Sequence, residues 1–351
     1  MNILALETSC DETAAAIVSE SGEILSNIVA SQVKDHKAFG GVVPEIASRR
    51  HVELIQPVTE QALLQAGLTL KDMGGIAVTQ GPGLVGALLV GISYAKALAY
   101  GLDIPVCGIN HLEGHLSAAR IENEITYPHI GMVVSGGHTS IFRVDSISHM
   151  SLIGRTLDDA AGEAFDKVAK LLGLGYPGGV IIDTISKDID HLHIDLPRPM
   201  IRDKSLDFSF SGLKTAVLNL VIKKHIFPDI DLKFSGMQEK REPYPDKKHL
   251  IAEIAAAFQA AVVDVLVSKA LDAVQANNMD MLVVAGGVAC NSALRQTIQD
   301  KTTQAGIRLC IPAQKYCGDN AAMIGMASIR YFQHGLTADL RMNAVSRFEI
   351  Y

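Results

Sequence analysis

The segment at residues 111–115 (HLEGH) holds the two side chains best suited to binding a metal ion. In a helix, His111 and His115 share one face, which is the arrangement that a divalent metal needs. Glu113 points elsewhere, whereas the glutamate of an H-E-x-x-H metalloprotease directly follows the first histidine. A third ligand must come from another segment, and Asp319 in a loop is a candidate. The alternative is a pair of partly buried, hydrogen-bonded histidines.

Residues 135–139 (SGGHT) follow an apolar run ending at Val134, and we predict that they form a hairpin tip. Successive glycines let backbone N–H groups converge on an anion, and the hydroxyl groups add donors. An ordinary glycine-rich turn has the same pattern. His138 lies in this loop, and its placement there makes it the candidate for a general base.

Two other segments have glycines that allow a nucleotide to approach the backbone. Residues 283–291 are predicted to form a strand, a double glycine and a helix start, where Asn291 either caps the helix or binds a ligand. Residues 176–179 (YPGG) form a further turn that exposes its backbone.

Asp166 is predicted to lie on a helix over residues 157–172, on one face with Asp159 and Glu163. Its carboxylate suits the hydroxyl groups of a sugar. Three acids on one face are also typical of a solvated surface, so both interpretations stay open.

The segment at residues 81–86 (GPGLVG) matches the G-x-G-x-x-G pattern of dinucleotide-binding proteins. The next predicted strand, however, ends at residues 109–110 without an acid to bind a ribose. The pattern therefore predicts a tight strand-to-helix turn rather than a nicotinamide site.

Apolar periodicity predicts an α/β chain whose two halves each open with a hairpin, at residues 3–18 and 130–144. This repetition indicates a duplicated architecture. Further helices are predicted over residues 49–66, 84–100 and 250–276, and further strands over 76–78, 104–109 and 281–285.

The chain has 351 residues, of which 48% are apolar and 20% charged, so we predict two domains with substantial cores. The formal net charge of −7 disfavours a nucleic-acid partner, because phosphate binding is usually accompanied by a basic excess. Residues 223–249 are rich in charge and proline and are interpreted as an exposed insertion.

The five cysteines are widely spaced and form no C-x-x-C pair, which favours reduced thiols in a cytoplasmic protein. The first seven residues have no basic cluster, so we expect no signal peptide. The uncharged residues 74–95 are interrupted by glycine and proline, and we expect no membrane association.

Nine motifs together resemble one family closely, the tRNA threonylcarbamoyl-transferases of the TsaD type, formerly known as O-sialoglycoprotein endopeptidases. They occur in the family's order, and the resemblance runs from about residue 2 to residue 330. The motifs lie at residues 9–13 (SCDET), 81–83 (GPG), 110–115 (NHLEGH), 135–139 (SGGHT), 162–167 (GEAFDK), 176–179 (YPGG), 208–215 (FSFSGLKT), 286–288 (GGV) and 318–320 (GDN). Val180 departs from the family, whose members often have proline there.

The resemblance implies the actin, Hsp70 and sugar-kinase (ASKHA) fold, with two duplicated α/β domains around a nucleotide cleft. The implied N-terminal domain comprises residues 1–108 and about 325–351. The implied C-terminal domain comprises residues 109–324, with the insertion near 223–249.

The resemblance also implies a reaction: transfer of a threonylcarbamoyl group from threonylcarbamoyl-AMP to N6 of adenosine 37 in tRNAs that read codons starting with A. One divalent ion, Fe²⁺ or Zn²⁺, would be held by His111, His115 and Asp319. The residues implied to bind the adenylate are Val134, Ser135, Gly136, Gly137, His138, Asp166, Gly179, Asp183 and Asn291.

The implied partners are a paralogous TsaB-like subunit and a small TsaE-like ATPase, and residues 49–66 are a candidate docking helix. Two alternative functions remain: a metalloprotease, and a non-catalytic partner subunit of the same fold. The displaced glutamate opposes the first alternative, and the intact candidate metal ligands oppose the second.

Overall fold

The computed structural model describes residues 1–146, 149–189, 192–227 and 242–348. These residues form two five-stranded sheets covered by helices. The strands of the first sheet are β1 (Asn2–Glu7), β2 (Glu12–Ser19), β3 (Ile24–Ser31), β4 (Met73–Gly81) and β5 (Val106–Asn110). Those of the second are β6 (His129–Val134), β7 (Thr139–Ser146), β8 (His149–Arg155), β9 (Met281–Ala285) and β10 (Arg308–Cys310).

The two sheets share one topology. The first has the order β3-β2-β1-β4-β5, and the second, read from β8, has the equivalent order β8-β7-β6-β9-β10. In each sheet, three strands pair antiparallel and two further strands join in parallel. Both predicted hairpins are present, so the duplicated architecture predicted from them is confirmed.

Eleven α-helices are assigned within the described residues. They are α1 (Val33–His36), α2 (Pro44–Ala66), α3 (Val85–Leu102), α4 (His111–Ala118), α5 (Ala161–Leu171), α6 (Gly178–Ser186), α7 (Ser211–Lys223), α8 (Lys248–Ala276), α9 (Ser292–Ala305), α10 (Gln314–Cys317) and α11 (Ala321–Gln333). Short 3₁₀ helices lie at Lys37–Phe39, Leu70–Asp72, Ala119–Ile121, Pro245–Lys247 and Gly287–Cys290.

The helix predicted over residues 157–172 begins later, at Ala161. The reason is Asp158, whose carboxylate accepts hydrogen bonds from the backbone N–H groups of Phe210 (2.8 Å) and Ser211 (3.3 Å). These bonds satisfy N–H groups at the start of α7 and hold Asp158 outside α5. Asp159 therefore does not share a helical face with Asp166, and that prediction was wrong.

Helices α4 and α11 connect the two halves. Helix α11 packs on β1 and β2 of the first sheet and against α4, and α4 also contacts β6 and β9 of the second sheet. The residues that follow β5 consequently lie between the two sheets. The domain boundaries implied at residues 108–109 and about 325 stay predictions.

Two segments, Val85–Leu102 and Pro245–Ala276, are long and apolar enough to cross a membrane by length and composition alone. In the second segment, 72% of the most apolar 18-residue stretch is buried inside the protein. The first segment is α3, which packs against α2 and β4. Residues 228–241, the middle of the predicted insertion, lie outside the described residues, and α8 already begins at Lys248.

Candidate metal centre and nucleotide cavity

The predicted triad of His111, His115 and Asp319 comes together between the two sheets, with its candidate ligand atoms within 4.8 Å of one another. Oδ1 of Asp319 lies 3.5 Å from Nε2 of His111 and 3.2 Å from Nε2 of His115. Ligands about 2.0–2.2 Å from a tetrahedral metal lie roughly 3.3–3.6 Å apart. The two measured separations are close to that range.

Two asparagines fix the triad. Asn110 caps α4 by accepting hydrogen bonds from the N–H groups of Leu112 (2.9 Å) and Glu113 (3.3 Å), so α4 begins at His111. Asn320 caps α11 in the same way and donates its amide to the carbonyl of Gly318 (2.8 Å). Because an N-cap side chain has a defined geometry, both caps orient the neighbouring ligands.

The chemistry of the donor set fits a metal. Neither ring nitrogen of His115, which is fully buried, makes a hydrogen bond of good geometry among the described residues, although its Nε2 lies 3.2 Å from Oδ1 of Asp319. Burial lowers the pKa of His115, which favours the neutral ring that a metal binds. Although burial opposes it, the adjacent histidines lower the pKa of Asp319 and keep it ionised. Three protein ligands leave a fourth position open, as in catalytic metal sites.

Glu7 orients His111 from β1. Its Oε2 lies 3.0 Å from Nδ1 of His111 and accepts a hydrogen bond from Oγ1 of Thr79 (2.6 Å). The hydroxyl of Ser9 is 3.2 Å from the same Nδ1. Burial alone would lower the pKa of His111, but Asp319 and Glu7 raise it to about 9. A carboxylate on Nδ1 leaves Nε2 for the metal, as in carboxylate–histidine–metal triads.

Replacing Glu7 by glutamine is expected to lower metal affinity about 10- to 100-fold, because the neutral amide holds and polarises the His111 ring less strongly. Chelator competition measures the affinity. Glu113→Gln is the matched control: this buried glutamate lies on α4 itself, but it binds Arg330 (2.6 Å) and Tyr331 (2.9 Å). Equal losses of affinity in both variants would contradict the assignment to Glu7.

Those contacts of Glu113 also bear on the metalloprotease alternative. Its carboxylate is bound to a guanidinium and a phenol on the side of α4 away from the triad. It therefore does not contact a water on the metal, which is the role of the glutamate in an H-E-x-x-H protease.

A cavity of about 440 Å³ in the second half brings together five of the nine residues predicted to bind the adenylate. These five are Gly136, Asp166, Gly179, Asp183 and Asn291. Three helices, α5, α6 and α9, begin at its wall, because Gly162, Gly179 and Asn291 occupy their first turns or caps. Helix N-termini carry partial positive charge and free N–H groups, so this wall suits a phosphate.

The loop after β6 has the predicted hairpin-tip geometry. The N–H of Ser135 donates to the carbonyl of His138 (2.7 Å), and the N–H of His138 donates to Oγ of Ser135 (3.1 Å). Gly136 and Gly137 are exposed, and a Cβ at either would meet no atom within 4 Å. The side chain of Val134 is buried in the core of the second sheet, so only its backbone is suited to the role predicted for it.

Asp166 and its neighbours shape the same cavity. Oδ1 of Asp166 accepts a hydrogen bond from the N–H of Gly178 (2.7 Å), which fixes the YPGG segment as the start of α6. Burial raises the pKa of Asp166 to about 6, against the effect of this hydrogen bond. Asp166 also lines the cavity, so its carboxylate is positioned to meet a ligand there.

Asp183 and Asn291 line the cavity but are already bonded to protein. Oδ1 of Asp183 accepts from the N–H (3.1 Å) and the hydroxyl (2.7 Å) of Ser292. Asn291 caps α9 at Leu294 (2.9 Å) and donates to Gln259 (2.7 Å). They set the position of the α9 N-terminus, and the predicted cap at Asn291 is confirmed.

Glu7 was missed as a residue of the metal centre. Burial and the charge of Asp11 raise the pKa of Glu12 well above its usual value, and Asp319 acts in the same direction. Residues 9–13 stand among the family motifs, and that was the signal available for Asp11 and Glu12. Glu7 lies outside every motif.

Comparison with known proteins agrees with this geometry. The family model described as TsaD, tRNA N6-adenosine threonylcarbamoyltransferase, matches residues 23–326. The tRNA N6-adenosine threonylcarbamoyltransferase of Geobacter sulfurreducens is 51% identical over 347 residues, covering 98% of this chain and 96% of the relative. That of Trichlorobacter lovleyi is 49% identical over 350 residues, covering 100% and 97%.

Two solved structures are similar in fold at low sequence identity. One is the Acidaminococcus fermentans (R)-2-hydroxyglutaryl-CoA dehydratase component A, with a TM-score of 0.54 and 14% identity over 94% of this chain and 98% of that one. The other is T. kodakarensis HypF, with a TM-score of 0.60 and 12% identity over 95% of this chain and 48% of that one. The predicted ASKHA fold is confirmed, and the chain belongs to the TsaD family of tRNA N6-adenosine threonylcarbamoyltransferases.

Proposed function

We propose that this chain transfers the threonylcarbamoyl group from threonylcarbamoyl-AMP to N6 of adenosine 37 in tRNAs that read codons starting with A. The observation that carries the proposal is the buried His111, His115 and Asp319 triad in a chain about half identical to enzymes of that name. The phosphate-compatible cavity of about 440 Å³ supplies room for the adenylate. Both features suit an acyl transfer from a nucleotide.

One divalent ion, Fe²⁺ or Zn²⁺, is held by His111, His115 and Asp319. When bound, it supplies Lewis-acid polarisation of a carbonyl or phosphate oxygen. The adenylate binds with its phosphate toward the N-termini of α5, α6 and α9 and its ribose toward Asp166. The N–H groups of Gly136 and Gly137 stabilise negative charge that develops on the acyl group.

The transfer forms one bond and breaks one. The N6 amine attacks the carbamoyl carbonyl carbon, the bond from that carbon to the phosphate oxygen breaks, and AMP leaves with the electron pair. One N6 proton is lost, and we assign its acceptance to His138. Burial and the nearby histidines lower the pKa of His138 to about 4, so its ring is uncharged at neutral pH and has a free nitrogen lone pair.

The proposed partners are a paralogous TsaB-like subunit and a small TsaE-like ATPase, in the cytoplasm. Helix α2, the predicted docking helix, packs beside α3. Exposed apolar side chains on the pair include Val52 (65% exposed) and Leu64 (81%) on α2, and Tyr100 (77%) on α3. Such a surface suits burial against another helix pair.

Binding of tRNA by the isolated chain is expected to be weak and salt-sensitive, because the net charge is −7 and any phosphate contacts must come from local basic residues. Filter binding over a salt series measures it. Tight binding by the chain alone at physiological salt would contradict this expectation.

The direct test combines the purified chain, its partner proteins, synthetic threonylcarbamoyl-AMP and unmodified tRNA, followed by nucleoside mass spectrometry. The proposal predicts threonylcarbamoyladenosine in the tRNA. Unmodified tRNA in the presence of intact adenylate would overturn the proposal.

A further inference from the structure

A second cavity, of about 430 Å³, is lined by His138. Its volume falls within the roughly 300–1,000 Å³ typical of small-molecule pockets. The cavity is bounded by Pro82, by Leu112 of α4, by the β7–β8 hairpin and by the segment at residues 346–348. We propose that it receives the acceptor adenine of the tRNA, an inference that rests on the proposed function.

The position of this cavity relative to the metal centre is the first argument. His138 lines it, and the His138 ring centroid is 6.3 Å from that of His111. Gly136, two residues earlier in the same loop, lines the adenylate cavity. The loop at residues 135–138 therefore borders both cavities. In acyl transfer the nucleophile and the leaving group occupy different sides of the carbonyl carbon, and two cavities that border one loop suit the two groups.

The chemistry of the walls is the second argument. Leu112 and Phe142 form a buried apolar floor, Leu152 is 40% exposed at the edge, and Phe348 lies at the rim. An adenine in a single-stranded loop is flat and uncharged, and proteins bind such bases by stacking them on aromatic and apolar side chains. The walls match that ligand better than they match a nucleotide phosphate.

Charge at the rim is the third argument. Arg155 and Arg347 line the cavity and are exposed, and neither guanidinium makes a hydrogen bond or ion pair among the described residues. Other exposed arginines, such as Arg49 and Arg341, bind carboxylates. Two unpaired guanidinium groups beside an apolar cavity are the complement of a base flanked by two phosphates.

The C-terminal wall is held against the strand-to-helix turn after β4. The N–H of Val345 donates to the carbonyl of Gln80 (2.9 Å), and the Nδ2 of Asn110 donates to the carbonyl of Phe348 (3.3 Å). At Gly81, a Cβ would clash with the carbonyl oxygen of Val345. Because Asn110 also caps α4, this wall and the metal ligands are positioned by one residue.

The test uses the complex with its partner subunit and an anticodon stem-loop RNA carrying 2-aminopurine in place of the acceptor adenosine, which fluoresces when it leaves the base stack. The double variant Arg155→Glu, Arg347→Glu is expected to raise the KM for tRNA at least about 10-fold and to lower the salt slope by about two, one for each lost phosphate contact. Leu152→Trp fills the cavity and is expected to abolish the fluorescence increase. The affinity for the adenylate stays unchanged in each variant.

Matched controls are Arg202→Glu and Leu336→Trp, which alter exposed residues that line neither cavity. Unchanged KM and salt slope in the arginine double variant, with a wild-type complex that modifies tRNA, would overturn the acceptor cavity even if Leu152→Trp fails to fold. A wild-type complex that leaves tRNA unmodified beside intact adenylate would instead overturn the proposed function.

Discussion

Replacing His115 by alanine is expected to remove the bound metal and to lower transfer to tRNA by about 100- to 10,000-fold. The imidazole is fully buried, between the His111 ring at 4.6 Å and the carboxylate of Asp319. Loss of a Lewis acid removes several kcal/mol of transition-state stabilisation, and each 1.4 kcal/mol corresponds to about tenfold in rate. Elemental analysis and a single-turnover assay measure the two effects together.

The control for this variant is His129→Gln. His129 is also a buried histidine, but it donates to the carbonyl of Thr126 (2.8 Å) and is not a member of the triad. We expect full metal content in the control. A His115→Ala protein that retains its metal would show that the ion is bound elsewhere.

Replacing Gly162 by alanine is expected to lower kcat/KM at least about 100-fold without unfolding the protein. A Cβ at this position would lie 2.6 Å from the carbonyl oxygen of Ser135 and 2.8 Å from Cα of Gly136. The loop at residues 135–138 must therefore move away from α5. A displacement of about 1 Å in a positioned active-site group costs on the order of 100-fold in rate.

Gly212→Ala is the matched control. Gly212 is likewise the second residue of a helix, α7, but a Cβ there meets no atom within 4 Å. This substitution is expected to leave kcat/KM within about twofold and to stabilise the helix by about 0.5–1 kcal/mol. Thermal unfolding and steady-state kinetics of the two variants separate loop displacement from helix propensity. Equal kinetics in both would contradict the role given to the loop.

The metal centre was accessible from sequence because its signal is local. His111 and His115 are four residues apart, and the spacing alone places both on one helical face. The sequence offered Asp319 only as one candidate for the third ligand, because nothing in its loop indicates which strand or helix its side chain faces. The asparagines that cap α4 and α11 follow ordinary helix-start patterns, but neither was predicted as a cap.

The contact between Glu7 and His111 could not be predicted from the sequence. Glu7 is 104 residues from His111, and its contact depends on the parallel pairing that brings β1, β4 and β5 side by side. A lone glutamate at the end of an apolar strand has no distinguishing pattern. Only the folded sheet shows that its carboxylate meets a ligand rather than solvent.

Some secondary-structure elements were misassigned or missed in the sequence analysis, and the reasons are physical. The YPGG segment looked like a turn because glycine disfavours helices, yet Gly178 begins α6, held there by Asp166. Strands β8 and β10 were not predicted, since β8 mixes exposed and half-buried residues and β10 has only three residues. In both cases, tertiary contacts outweighed local preference.

The inference drawn from net charge was the weakest prediction. A formal charge of −7 disfavoured nucleic acid, but the chain belongs to a family named for its action on tRNA. The unpaired Arg155 and Arg347 at one rim show that basic groups are distributed locally. The position of the positive groups is therefore more informative than their sum.

The central claim is that the triad and the adenylate cavity together move an acyl group onto RNA. The most direct measurement uses threonylcarbamoyl-AMP labelled at the carbamoyl carbon, with one equivalent of tRNA, and follows label and AMP in a single turnover. We predict one label in the tRNA adenosine for each AMP released, and formation of both products slowed by at least about 100-fold in the His115→Ala variant. Release of AMP without label in the RNA would contradict the claim, because the complex would then be hydrolysing the adenylate.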